Sequence, residues 1–277
     1  MIALLSPAKK LDLDPIPLAL PPSTPALWRE SERMMTKAKN LSRKKLRDLM
    51  GLSAELAELN FERHNSFQIP FTPDNAKPAI FAFDGDVYFG LDRATLPAEG
   101  LAWAQEHVGI LSGMFGILRP LDLIQPYRLE MGTAIPSRRG KNLYDFWGES
   151  VTRRLNELTE AHDDRTVVNV ASGEYAKVVQ PKGLKGGMVT IAFKEDKGDG
   201  PVMIGTVAKR SRGKFVRWMI DARVDRREDL KAFAVDDYAF NPAESTGDTF
   251  TFTRPHVEGR MIAEFAARKA RDGQAAP

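Results

Sequence analysis

The sequence contains no cysteine, only four histidines, and no apolar run approaching membrane length. Without cysteine the chain can form no disulfide framework and offers no thiolate nucleophile, zinc knuckle or protein-held iron–sulfur cluster. His64, His107, His162 and His256 are far apart, and none has a second histidine at metal-ligand spacing. A metal site would therefore need carboxylates and histidines gathered from distant segments. No metal or other cofactor is expected. A membrane-spanning helix needs about 20 apolar residues, and no such stretch exists. The opening MIALLSPAKK puts its positive charge after a short apolar run, the reverse of a secretory signal. The chain is expected to stay in the cytoplasm and not to engage a membrane.

What is present is an ordinary globular balance: 277 residues, 43% hydrophobic and 28% charged. Length allows one large domain or two small ones. No repeat, low-complexity tract or compositional break divides the chain, so a single domain over 1–277 is expected, frayed at its last residues. The net charge of +3 and sequence pI of about 9.0 are mildly basic. That balance points to a polyanionic partner only where the charge is concentrated.

Residues 1–5 (MIALL) read as a short buried strand, followed by an extended proline-rich connection over 15–25. Leu27, Met34, Ala38 and Leu41 form a helical stripe. Ser42 and Ser53 are placed to cap two further helices, the first stopped by Gly51 and the second running to about His64. The segment 79–91 (AIFAFDGDVYFGL) carries two β-prone runs around Asp84-Gly85 and predicts a hairpin or a strand followed by a turn. Pro97 and Gly113 bracket a predicted helix over 97–112, and another covers 143–158. A buried strand is expected at 166–171, a short helix through Val179, and strands at 188–194 and 202–208. A basic helix follows over about 211–223, then strands near 235–240 and 248–254 and a helical C-terminal end. Helices and strands mix without strict βαβ alternation, so the fold class is α/β: a mixed sheet with flanking helices.

Four stretches could carry chemistry. The first is the basic run containing Lys209, Arg210, Arg212, Lys214 and Arg217. Arg210, Lys214 and Arg217 share one helical face opposite Phe215, Trp218 and Met219, a pattern suited to phosphate backbones. The bland alternative is a solvated face with Arg217 paired to Asp221 at i, i+4. The second is Ser6-Pro7-Ala8-Lys9-Lys10, a loop after the first strand, where open α/β sheets commonly bind ligands. It lacks the glycines of a phosphate-binding Walker loop and could be a plain turn.

The third stretch is 110–132, where Gly113 and Gly116 precede Arg119. This suggests a helix–hairpin–helix whose glycine turn admits a phosphate. The alternative there is a helix, a glycine stop and a buried strand through 115–118. The fourth is a scatter of polar groups, including Tyr88, Tyr127, Arg128, Glu130, Glu174 and Tyr175. Brought together at the Lys9 loop with Ser6, they would form a polar pocket suited to an enzyme. Spacing alone cannot show that convergence.

Six motifs occur in order: LLSPAKKLD at 4–12, FDGDVYFGL at 83–91, LSGMFGILRPLDLIQPYRLEMG at 111–132, LYDFWG at 143–148, VVNVASGEY at 167–175 and AKRSRGKFVRWMI at 208–220. Together they resemble the YaaA family of bacterial peroxide-stress proteins along nearly the whole chain. Departures are few: Lys10 where threonine is frequent, Asp84 where lysine is common, and Gly173 in place of a frequent aspartate. Asp84 puts a negative charge beside any DNA-facing edge there.

The resemblance implies a cytoplasmic protein that limits peroxide damage by keeping unincorporated iron low. It also implies DNA binding through a helix–hairpin–helix element and a basic cleft on a single-domain α/β fold. No catalytic reaction comes with it. Lys9, Lys10, Gly113, Gly116, Arg119, Lys209, Arg210, Arg212, Lys214 and Arg217 are then the expected DNA contacts, made by a monomer with weak sequence preference. An enzyme of unassigned reaction, with a pocket around Lys9, Tyr127, Arg128, Glu174 and Tyr175, is the alternative.

Overall fold

The computed structural model describes residues 1–16 and 20–259. The helical end expected for the last residues lies outside them. Strand β1 (Ile2–Leu5) has four apolar side chains, all buried. Its loop leads to the two-residue β2 (Lys10–Leu11). The described residues of the proline-rich connection form no helix, and Ser23 bridges to Asp122. Helix α1 (Trp28–Lys39) buries Ser31, Met34, Met35 and Ala38 as one stripe.

Helices α2 (Arg43–Met50) and α3 (Ala54–Ser66) begin and end where local chemistry directs. The Ser42 hydroxyl accepts from the Lys45 amide, Gly51 stops α2 at φ +60°, and the Ser53 hydroxyl accepts from the Leu56 amide.

The segment 79–91 departs from the expected hairpin. After β3 (Lys77–Pro78) it forms a single turn, α4 (Ala79–Ala82), then β4 (Phe83–Asp84) and α5 (Asp86–Leu91). β4 pairs antiparallel with the distant β2 and not with its sequence neighbour. Tertiary packing outweighs β propensity here, because α5 lies backbone to backbone on the long helix described below. Helix α6 (Ala98–His107) stops short of the expected end at 112. Residues Val108–Ser112 become β5, buried throughout because they join the middle of the sheet.

β6 (Gly116–Leu118) turns back on β5, and β7 (Leu123–Ile124) pairs with β3. Gly148, at φ +47°, divides the helix expected over 143–158 into α7 (Leu143–Trp147) and α8 (Ser150–Leu158). Then come β8 (Val167–Asn169), the short α9 (Gly173–Ala176), β9 (Met188–Asp196) and β10 (Pro201–Val202). The strand expected over 202–208 is mostly helix instead. Residues from Gly205 onward open α10 (Gly205–Ala222), which buries Val207 and Ala208 in its first turns. β11 (Ala239–Phe240) and β12 (Thr249–Pro255) complete the sheet.

The strand order is β11-β12-β9-β8-β1-β5-β6, with β10 beside β9. The run β12-β9-β8-β1-β5 is parallel, and the edge pairings are antiparallel. This is the mixed α/β sheet with flanking helices expected from the sequence. Its core is one contiguous apolar cluster from Met1 to Phe252. The chain leaves β1 for β5 on one side and returns through β8 on the other. β1 and β8 therefore flank a topological switch point, where open sheets hold ligands beyond the carboxyl ends of the strands.

Candidate functional site

The switch point is built by two serines. Ser6 follows β1 and Ser172 follows β8. The Ser172 amide donates to Ser6 Oγ at 2.9 Å, and the two hydroxyl oxygens are 3.3 Å apart. The Tyr88 hydroxyl donates to the Ser6 carbonyl at 3.0 Å, bringing the start of α5 against the same loop. A cavity of about 530 Å³ opens there. It gathers Ser6, Lys9 and Lys10 from the loop after β1 with Asp84, Asp86 and Tyr88 from β4 and α5. Tyr127, Arg128 and Glu130 come from the segment after β7, Glu174 and Tyr175 from α9, and Lys209 and Arg212 from α10. All seven polar residues of the expected pocket converge.

Most charges in this cavity are already neutralised. Glu130 takes Lys9 at 3.0 Å and Arg128 at 3.1 Å, Asp84 takes Lys10 at 2.6 Å and Arg93 at 3.6 Å, and Asp86 takes Arg210 at 3.3 Å. Lys209 and Arg212 make no ion pair among the described residues, and neither does Glu174, whose Oε1 accepts from the Gly132 amide at 2.9 Å. Burial lowers the Arg212 guanidinium from its ordinary value. Burial raises all three tyrosines: Tyr88 well above the ordinary phenol range, Tyr127 against a lesser opposing hydrogen bond from Ser112, and Tyr175 with help from Tyr127, Glu174 and Glu130. The phenols therefore remain protonated donors at neutral pH. Tyr127 and Ser112 share a 2.7 Å hydrogen bond beneath the cavity.

The expected DNA contacts divide into two groups. Lys9, Lys10, Lys209 and Arg212 line the cavity. Gly113, Gly116 and Arg119 do not join them. Residues 110–132 are strand, turn and strand, so the helix–hairpin–helix expected at Gly113–Gly116 is corrected to a β-hairpin. Gly113 is buried, and its carbonyl accepts from Trp147 Nε1 at 3.0 Å. A Cβ at Gly113 would lie 2.3 Å from the Leu129 carbonyl oxygen. Gly116, at φ +70°, would place a Cβ 2.8 Å from the Trp147 ring. These glycines admit neighbouring protein, not a phosphate. Arg119 lies near Glu106 and Asp122 at 3.7 and 3.8 Å.

The open cationic stripe expected on α10 is corrected as well. Arg210 is buried beside Asp86, with its guanidinium over the Phe89 ring. Lys214 pairs with Asp236. Arg217 takes Asp221 at 2.8 Å and donates to Thr95 Oγ1 at 2.6 Å. The face meets other parts of the protein, which periodicity along α10 could not reveal.

A different basic surface, outside the sequence motifs, lies on α1 and α2. Between Arg29 and Arg47 stand Arg29, Arg33, Lys37, Lys39, Arg43, Lys44, Lys45 and Arg47, against only Glu30 and Glu32. Arg33, Lys44, Lys45 and Arg47 are exposed. Among the described residues, Lys37, Lys44 and Lys45 form no ion pair, while Arg43 pairs with Glu58 on α3. Counting charge in windows along the whole chain would have found this run. Next to it, α2 and α3 are joined by the short Gly51-Leu52-Ser53 turn.

Among the described residues, no group of three or more histidines, aspartates and glutamates is placed to hold a metal ion. No described helix is long and apolar enough to cross a membrane.

Fold and site thus define an α/β protein with a charged, tyrosine-walled pocket at the switch point of a mostly parallel sheet. The family model described as peroxide stress protein YaaA matches residues 1–244, and the chain belongs to that family. Related chains include a UPF0246 protein of Magnetococcus marinus, 47% identical over 92% of this chain and 99% of the relative. Another, from Phenylobacterium zucineum, is 47% identical over 92% of this chain and 95% of its own length. A third, from Caulobacter vibrioides, is 45% identical over 92% and 99%.

Proposed function

We propose that this member of the peroxide-stress family is a cytoplasmic, monomeric DNA-binding protein. It holds the phosphate backbone with little reading of base sequence and helps limit damage from hydrogen peroxide and free iron. The observation that supports the reading is the cationic surface of α1 and α2, which continues into the α2–α3 hairpin. Helical hairpins of this kind can approach a backbone closely, and lysines without counter-ions gain affinity by releasing counterions from the nucleic acid. At the cavity mouth Lys209, which makes no ion pair among the described residues, would add a further cation, whereas Lys9 and Lys10 are engaged by Glu130 and Asp84.

The triple change Lys37→Ala, Lys44→Ala and Lys45→Ala is expected to weaken duplex binding uniformly across sequences. It should also lower the slope of log affinity against log salt by about three units, roughly one per lost phosphate contact. Lys214→Ala with Arg217→Ala should leave that slope unchanged, because both cations are engaged within the protein. Fluorescence anisotropy with two unrelated duplexes over a salt series measures both effects. An unchanged slope in the triple variant removes the α1–α2 surface from the reading.

A second reading is supported by the convergence of Lys9, Tyr127, Arg128, Glu174 and Tyr175 in one cavity. This is a small-molecule site, with the reaction, if any, unassigned. A volume of about 530 Å³ lies within the range of about 300–1,000 Å³ usual for such sites and is far too small to enclose a duplex.

A further inference from the structure

On the small-molecule reading of the cavity, we propose that its ligand is a compact organic anion, a phosphate or carboxylate carrying a hydrogen-bond donor elsewhere on the molecule. Lys209 and Arg212 receive the anionic group, and Glu174 receives the donor.

The charges of the lining residues do not cancel. Lys9 and Arg128 share the one carboxylate of Glu130, Lys10 pairs with Asp84, and Asp86 with the buried Arg210, so these contacts themselves leave an excess of positive charge. Removing these pairs leaves two cations on α10, one turn apart, and one carboxylate on α9. Arg212 is partly buried, and no carboxylate or other hydrogen-bond acceptor engages it among the described residues. Taking a guanidinium out of water without an anion is costly, and a bound anion relieves that cost. Its lowered pKa has burial as the sole cause, consistent with a cation that lacks a counter-charge.

Two further groups favour the same class of ligand. Arg128 lines the same wall and keeps a guanidinium close to the anion position, although its Nε is itself buried. Ser6 and Ser172 place two hydroxyls at the carboxyl ends of β1 and β8. On the opposite side of the balance, Glu174 is fixed by the Gly132 amide through one oxygen. Its other oxygen makes no hydrogen bond among the described residues, so it can accept from an amine or amide. The protonated phenols of Tyr88 and Tyr175 are rigid, neutral walls between these charges. A purely anionic ligand would meet Glu174 without compensation, and a neutral one would leave Arg212 unmatched. The pocket is complementary to a molecule with both features.

The test uses the full chain and four probes: inorganic phosphate, adenosine 5′-monophosphate, adenosine, and glycerol 3-phosphate, which carries the anion with only hydroxyl donors. Binding is followed by thermal shift and calorimetry. Adenosine 5′-monophosphate is expected to bind most tightly, glycerol 3-phosphate and phosphate more weakly, and adenosine not measurably. Arg212→Gln should raise the dissociation constant of all three anions about tenfold or more, the usual effect of losing a hydrogen-bonded charge. Lys209→Gln, at an exposed position that leaves the fold intact, should raise it severalfold. Glu174→Gln should weaken adenosine 5′-monophosphate and leave phosphate unaffected or tighter.

Anion binding unchanged in both Arg212→Gln and Lys209→Gln overturns the proposal. Binding of adenosine but of no anion also overturns it, while the cavity stands as a ligand site. If none of the four probes stabilises the wild-type protein at millimolar concentration, the small-molecule reading falls with the proposal. DNA binding that is lost in Lys209→Gln and Arg212→Gln, with no probe bound, assigns these cations to nucleic acid.

Discussion

Replacing Gly213 by alanine should destabilise the protein by about 3 kcal/mol or more, at the upper end of the range for overpacked interiors. Alanine is the better helix former by about 1 kcal/mol, so secondary-structure propensity predicts the opposite sign. Contact geometry decides the matter. A Cβ on Gly213 would sit 1.9 Å from the Val87 carbonyl oxygen and 2.6 Å from the Leu91 amide. Gly90 opposes it: a Cβ there would lie 2.1 Å from the Arg210 carbonyl oxygen. Backbone atoms cannot rotate away as a side chain can, so α5 and α10 would have to separate.

That separation reaches the site. α10 carries Lys209 and Arg212, and α5 carries Asp86 and Tyr88. Gly213→Ala should therefore lose ligand binding at temperatures where the protein is still folded. Gly205→Ala, at the start of the same helix with nothing within 4 Å, is the control and should be near neutral. Urea unfolding of both variants measures the difference. A Gly213→Ala variant within about 0.5 kcal/mol of wild type would show that the two helices are not held at this distance.

Acid should destabilise the protein well above the carboxylate range, through its histidines. His64, 1% exposed, is held down to about 4 from 6.5, chiefly by burial, with Arg63 opposing its charge further. Neither ring nitrogen makes a well-formed hydrogen bond among the described residues, and the ring's approaches to the Arg128 and Ala38 backbone offset only part of the effect of burial. His107 is also held to about 4, first by burial and then by His162. Its ring is stacked between Trp103 and His162, with centroids 4.0 and 4.4 Å away. His162, 3.2 Å from the Met1 amine, is lowered by burial and then by the charge of that amine, and the amine itself is lowered by burial against the opposing pull of Asp164, Asp225 and Asp163.

The sign follows from proton counting. Between about 4 and 6.5 the unfolded chain binds protons that the folded histidines refuse, so stability falls as pH falls through that window and levels off below it. For His64 the loss is about 2 kcal/mol at pH 5 and approaches about 3 kcal/mol at lower pH. The partly exposed His107 contributes less. The lowered carboxylates Asp12, Asp164 and Glu195 add their own loss only as pH drops through the usual carboxylate values of 3.8 to 4.5. A comparison of pH 7.5 with pH 5 therefore separates the histidines and the Met1 amine, whose ordinary value is 8.0, from these lowered carboxylates. His64→Leu should remove the larger share of the difference in urea midpoint. If the difference persists in full, His64 is already protonated in the folded state.

Local chemistry was legible without coordinates wherever one residue and its near neighbours decide the outcome. Ser42, Ser53 and Gly51 bound α2 and α3 because caps and left-handed stops act within a single turn. The position of the Lys9 loop after the first buried strand was legible too, although its sequence is as compatible with a plain turn; the polar residues around it are brought there by the fold. The family was legible because its motifs recur in order over the whole length.

The failures share one physical cause. In 79–91, at Gly113–Gly116 and on α10, the deciding partner lies far away in sequence: the backbone of α10, Leu129 with Trp147, and Asp86 with Asp236. Periodicity states which residues share a face, but not what that face meets. The sequence alone determined the α/β class, the caps, the pocket's residue types and the family. Tertiary structure decided which cations are spent inside the protein and which are left over, because charge pairing is settled by distance in space, and spacing along the chain does not report it.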